Sequence, residues 1–164
     1  MIAAEENALL TQTDRGTPCG ELMRRYWQPA ALSEELPAGG APLKVKILGE
    51  ELALFRDDQG RPGLIGLHCA HRGTDLSYGR IENGGLRCLY HGWLYDITGC
   101  VLEQPGEPGV DLRPGAHVRV RVIPVRARTI RDLEVVHVFA AVTNGEPGMA
   151  VRPLGHVEAV PVHD

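Results

Sequence analysis

No apolar run in this sequence approaches the eighteen residues that a membrane-crossing helix needs. The N-terminus, from Met1 to Leu10, is acidic and has no basic region ahead of an apolar run, so it does not read as a secretory signal. An excess of basic charge is missing too. The net charge is -4 and the pI is near 6, which gives no reason to expect nucleic acid. Cysteine is sparse, at four residues, and without a signal these do not suggest a disulfide framework. No internal repeat is present. These absences leave the cytoplasm as the expected compartment, with neither a membrane nor a nucleic acid among the partners.

Glycine and proline are abundant instead. Twenty Gly and twelve Pro make up about a fifth of the 164 residues, above the average of roughly 12%. That points to a turn-rich β protein, and 43% hydrophobic residues suffice for a core. The pattern divides the chain into a leader (1–40), a β domain (41–143) and an extended tail rich in Pro and Gly (144–164). In the leader, a helical turn is expected over Glu5 to Leu10. Thr17-Pro18 starts a short helix, with Thr as N-cap and Pro at the first helical position. Leu22, Met23 and Tyr26 then share one face, and Pro29 ends the helix.

From Leu43 the period changes to two. Lys44-Val45-Lys46-Ile47 alternates as a half-buried strand. Gly49-Glu50 turns into a strand over Leu52 to Arg56, and Leu64 to Leu67 forms the next. Gly84-Gly85 starts another, Trp93 to Asp96 leads away from it, and Asp96-Ile97-Thr98-Gly99 turns back. Val118, Val120 and Val122 alternate with Arg119 and Arg121, and Leu133 to Val142 is a last apolar strand. Short strands with frequent turns predict an all-β sandwich or barrel.

One stretch, His68 to Asp96, carries the chemistry. It holds Cys69-x-His71 and Cys88-x-x-His91, with sixteen residues between His71 and Cys88. The intervening residues can run out and back as a hairpin, bringing two loop tips together. Two thiolates and two imidazoles suit a [2Fe–2S] unit in which Cys hold one iron and His the other. Two rival readings are structural zinc, for which Cys₂His₂ is also a ligand set, and a disulfide. Zinc knuckles do not usually open with Cys-x-His, and no oxidising compartment is indicated. Gly73 and Gly92 read either as allowing close backbone approach to sulfur or as ordinary turn glycines. Cys19 and Cys100 have no partner at motif spacing and read as buried thiols. His68 breaks the spacing and reads as structural.

CAHRG…CLYHGW resembles the Rieske signature of aromatic-ring-hydroxylating oxygenase large (α) subunits, most nearly the phthalate and phenoxybenzoate type. RRYWQPAALSEEL (Arg24 to Leu36) and the QPGEP of Gln104 to Pro108 resemble that family as well, and the likeness covers roughly residues 9 to 125. It implies a Rieske-type antiparallel β sandwich or barrel, with a two-loop cluster subdomain and a short N-terminal helix. It implies a [2Fe–2S] cofactor on Cys69, His71, Cys88 and His91, and an oxidoreductase role in aromatic hydrocarbon catabolism. The chain would take single electrons from a reductase or ferredoxin, and His91 would face an oxygenase catalytic domain as acceptor. The absence of an extra Cys in either loop implies a potential at the low end of the Rieske range.

By the same resemblance Tyr95 either donates its hydroxyl to a ligand sulfur or is a core aromatic. Trp93 reads as a cap over the cluster rather than a relay. Arg72 either pairs with a carboxylate across a subunit contact or is solvated. Family oxygenases also hold a mononuclear iron on two His and one carboxylate. Here Glu134-x-x-His137 begins that pattern, but position 142 is Val, and His156 and His163 lie in the tail. The expectation is therefore an electron carrier without catalytic residues of its own, derived or truncated from an oxygenase. A self-standing Rieske ferredoxin is the alternative, although the oxygenase-like leader argues against it. A zinc-bound or apo binding module stands third.

Overall fold

The computed structural model describes residues 2–106 and the backbone of two later strands. Two helices come first, α1 (Ala4–Thr11) and α2 (Pro18–Met23). Thr17 caps α2 as expected: its Oγ1 accepts from the Gly20 N–H at 3.2 Å, and Pro18 sits where no N–H is missed. The expected apolar face is not formed. Leu22 and Tyr26 are exposed and only Met23 packs on the core; α2 ends at Met23, well before Pro29, so Tyr26 falls outside it. Pro29 lies instead in β1 (Gln28–Leu32). That strand is at a sheet edge, where proline's missing N–H is tolerated.

The remaining strands are β2 (Leu43–Ile47), β3 (Glu50–Arg56), β4 (Pro62–Gly66), β5 (Arg80–Glu82), β6 (Gly85–Arg87), β7 (Leu94–Tyr95), β8 (Val101–Glu103), β9 (Val125–Thr129) and β10 (Val136–Ala140). They form three antiparallel sheets, ordered β1-β10-β9, β2-β3-β4 and β5-β6-β7-β8. The chain is thus mostly β, as the sequence predicts. β1, within the first forty residues, is a sheet neighbour of β10. The Val118 to Val122 alternation, Glu134, Val142, His156, His163 and the 144–164 tail lie outside the described residues. His137 falls on β10, opposite Leu32 and Arg128.

β2 alternates because one of its faces is wet. β3 is its central neighbour and is buried on both faces. Leu52 and Leu54 join Leu36, Ile47, Leu48 and Leu64 in one apolar cluster, while Ala53 and Phe55 point into the other. That second cluster also contains Leu67, Leu76, Leu86, Trp93, Tyr95 and both motif cysteines, Cys69 and Cys88. The two thiols are therefore part of the core, and their geometry follows its packing.

The β2–β3 turn is centred on Leu48 (φ 49°) and Gly49 (φ 81°). Both residues are left-handed, the mirror-type turn that matches strand twist. Leucine is strained there. Its carbonyl is held by a buried side chain: Arg24 Nη2 donates to Leu48 O at 2.8 Å, Nη1 to Thr13 O at 2.9 Å, and Nη2 also meets Glu50 Oε1 at 3.2 Å. Arg24 thereby ties the leader to the β2–β3 hairpin. Arg24→Met removes these donors and should lower the unfolding free energy by about 2–4 kcal/mol. Urea unfolding followed by tryptophan fluorescence should show the midpoint falling.

Candidate metal centre

Two loops carry the motif residues, and their backbones close in the same way. In the first, the Cys69 N–H donates to Thr74 O at 2.8 Å and the Gly73 N–H donates back to Cys69 O at 2.8 Å. In the second, the Cys88 N–H donates to Trp93 O at 2.9 Å and the Gly92 N–H to Cys88 O at 3.1 Å. Each cysteine thus bonds the residue five places on and receives the glycine four places on. That closure needs a left-handed residue at the fourth place, and Gly73 (φ 72°) and Gly92 (φ 75°) supply it. Both glycines are turn requirements. Gly92 is also crowded, since a Cβ there would meet Pro105 Cγ at 3.2 Å, whereas one at Gly73 would meet nothing within 4 Å. The hairpin between the loops is β5–β6, turned by Asn83 (φ 51°) and Gly84 (φ 77°). Asn-Gly is the strongest short hairpin signal; the expected strand start at Gly84-Gly85 overlooks it.

The loops sort their donors two by two. Cys69 and Cys88 are buried next to each other, and their thiols interact. His71 and His91 lie beside one another, with ring centroids 4.5 Å apart. All four cysteines of the chain are free thiols, so the disulfide reading fails. Thiols on one side and imidazoles on the other suit a two-iron unit, whose ligands come in pairs. Among these donors the His71 Nδ1 atom is buried and has no hydrogen-bond partner among the described residues. A buried, unsatisfied nitrogen is costly, and coordination would satisfy it. The residues present fit a Rieske-type cluster.

Protonation is tuned around this set. Burial pushes the Cys69 thiol up from its ordinary value, and the neighbouring Cys88 thiol adds to that; hydrogen bonds from Tyr95 and the His71 N–H oppose it. Tyr95 Oη lies 3.1 Å from Cys69 Sγ and accepts from the Ala70 N–H at 3.0 Å. Its own proton is therefore free to point at the sulfur. Burial first, and then that sulfur contact, push the Tyr95 hydroxyl far above its ordinary value, so it stays a donor. Of the two roles expected for Tyr95, the geometry combines both: a fully buried core aromatic whose hydroxyl meets Cys69. Partial desolvation, then His71 and the Arg72 guanidinium, hold His91 below the usual imidazole range. The neutral ring is the form a metal takes.

The neighbours are placed as follows. Trp93 is buried and stacks on the His71 ring, centroids 5.0 Å apart and planes 4° from parallel. It therefore caps one imidazole. Arg72 is exposed. His68 is exposed, and its Nδ1 is 3.1 Å from Gly73 O, where it braces the first loop. Cys19 and Cys100 are half-buried rather than buried. Sequence spacing does not single out Arg87, which is buried directly ahead of Cys88. No periodicity marks a side chain that serves a loop carbonyl.

Residues 26–125 match the Rieske [2Fe-2S] domain family model. The chain is 54% identical over 104 residues to the phenoxybenzoate dioxygenase subunit alpha of Ectopseudomonas oleovorans, covering 63% of this chain and 25% of that protein. It is 47% identical over 109 residues to the phthalate 4,5-dioxygenase oxygenase subunit of Pseudomonas putida, covering 66% of this chain and 25% of that protein. Among solved structures, dicamba monooxygenase bound to dicamba superposes with a TM-score of 0.64 at 35% identity, over 77% of this chain and 36% of that one. The chain spans about a quarter of the length of these curated relatives.

The two glycines can be told apart experimentally. Gly73→Ala meets only the backbone penalty, about 1–2 kcal/mol. Gly92→Ala meets that penalty and the Pro105 contact, and should lose more. Thermal unfolding of the two variants side by side should rank Gly92→Ala below Gly73→Ala.

Proposed function

The chain belongs to the Rieske [2Fe–2S] domain family, and we propose that Cys69, His71, Cys88 and His91 hold its cluster and that the chain passes single electrons to an oxygenase. The observation that carries this ligand set is the sorted donor pairs, with the buried His71 Nδ1 lacking a hydrogen-bond partner among the described residues. When bound, the cluster supplies one-electron chemistry. Cys69 and Cys88 bind as thiolates, which requires each to release the proton that burial favours at Cys69. His71 is held in orientation by the Trp93 stack, and His91 offers a neutral ring at a partly exposed edge. The two buried sulfurs face the core, which excludes water from them. The proposed donor is a reductase or ferredoxin, and the proposed acceptor is an oxygenase catalytic domain. Aromatic compounds are the proposed substrate class of that assembly. No helix among the described residues is long and apolar enough to cross a membrane.

Purified, reconstituted chain should be red-brown. After reduction it should give an EPR signal whose average g lies below the free-electron value, and Ala at any one of the four positions should abolish it. Colourless protein holding one zinc per chain would overturn the proposal.

A second outcome follows from Tyr95. Its O–H stabilises added negative charge at Cys69, so Tyr95→Phe should lower the reduction potential. A hydrogen bond worth about 1 kcal/mol corresponds to roughly 40 mV at about 59 mV per tenfold change. Redox titration of the wild type and Tyr95→Phe should show this fall.

A further inference from the structure

Arg87 is buried one residue ahead of Cys88. The register of the four-stranded sheet sets Arg80, Arg87, Leu94 and Glu103 in one cross-strand row. Two arginines directly opposite would repel. Glu82 resolves this by pairing with both. At its far end the guanidinium forks: Nη2 donates to Glu103 Oε2 at 2.6 Å, and Nη1 donates to Gly92 O at 2.5 Å. A planar fork can hold two such acceptors at a fixed angle, which an ammonium cannot.

Gly92 is the position that closes the second loop. Its N–H bonds Cys88 O, and its peptide lies between His91 and Trp93, the ring that stacks on His71. The first loop repeats the arrangement with different chemistry. There the residue ahead of the cysteine, His68, reaches the carbonyl of the matching glycine, Gly73, at 3.1 Å. In both loops, then, the side chain preceding the cysteine meets the carbonyl of the left-handed glycine. His68 is an exposed ring. Arg87 is buried and held by two carboxylates, so its brace is the more rigid of the two.

We propose that Arg87 is the positioning residue of the second loop, fixing the Gly92 peptide and through it the direction of His91. This rests on His91 being a cluster ligand. Loss of the fork frees the Gly92 carbonyl and leaves Glu82 and Glu103 without a buried cation between them. The residual negative charge disfavours the reduced cluster, so the potential falls as the loop loosens.

The test compares reconstituted wild type, Arg87→Met and Arg87→Lys by EPR, redox titration and bleaching under EDTA, with melting of the apo chains as control. In Arg87→Met the g values should shift, the potential should drop and bleaching should run about tenfold faster, the loss typical of an outer partner of a metal ligand. Arg87→Lys should shift in the same directions by less, because it keeps the charge and loses the fork. If Arg87→Met takes up no cluster, Arg87→Lys decides. Wild-type g values and potential in Arg87→Lys overturn the proposal. Cluster loss in both variants with apo melting unchanged supports it; cluster loss in step with a fall in apo melting overturns it in favour of a role in the fold alone. Wild-type protein without the Rieske signal refutes the ligand reading itself, and this proposal with it.

Discussion

Everything at the candidate centre depends on the way each cysteine's backbone closes its own loop. The N–H of Cys69 and of Cys88 donates five residues forward, and its carbonyl accepts from the glycine four residues on. This pins the Cα of each cysteine. The thiol then has little choice but to enter the core that already holds Phe55, Leu76, Leu86 and Tyr95. Only glycine takes the left-handed fourth position without strain. The histidines sit at the second place of one loop and the third of the other, on the outward curve of each turn. Core packing therefore sets the sulfur geometry, and loop closure sets the imidazole geometry.

The same physics explains Arg24 and Arg87, the two arginines buried among the described residues. A left-handed residue turns its carbonyl away from the strand ladder, so that carbonyl needs a donor from elsewhere. Arg24 supplies one to Leu48 (φ 49°), and Arg87 supplies one to Gly92 (φ 75°). Burying a guanidinium is costly unless it is paired. Glu50 meets the first, and Glu82 and Glu103 meet the second. One arginine fixes the turn that sets the β2–β3 register. The other serves the turn that carries His91. Among the described residues, the buried cations thus sit at turns whose carbonyls the ladders leave free.

The sequence made the centre legible because metal chemistry restricts residue type. Cys-x-His and Cys-x-x-His point to few alternatives, and the free thiols and paired donors narrow them further. Period-two alternation marks β2, and the tight turn at Gly49-Glu50 points to the strand that follows it. The helix at Thr17-Pro18 was legible from its cap, but its packing was not, because nothing in Leu22, Met23 and Tyr26 reveals that the helix stops after six residues. Cys19 and Cys100 are half-buried where their spacing suggests buried thiols, since a thiol's burial follows tertiary packing. Arg24 and Arg87 are not legible in the sequence, for a common reason. A bond from a side chain to a distant carbonyl leaves no spacing pattern, and a charged residue on a strand reads by default as a wet one.

The burial pattern also bears on where an electron could enter or leave. Cys69 and Cys88 are 4% and 2% exposed, against 57% for Leu89 and 63% for Tyr90 between the second cysteine and His91. Tyr90 lies against the His91 ring, centroids 3.8 Å apart. The sulfur side is closed off by Phe55, Tyr95 and the rest of the core, whereas the imidazole side ends in partly exposed rings bordered by apolar side chains. Ligand chemistry favours the same polarity. A buried thiolate needs hydrogen bonds and shielding, which Tyr95 and the loop amides provide, while a neutral imidazole tolerates a partly wet edge. On the proposed ligand set, the imidazole side is the more open side of the centre, and the exposed Leu89 and Tyr90 border it. The tight bracing of the second loop then has a physical purpose, because electron exchange across an edge that shifted between oxidation states would carry an added reorganisation cost.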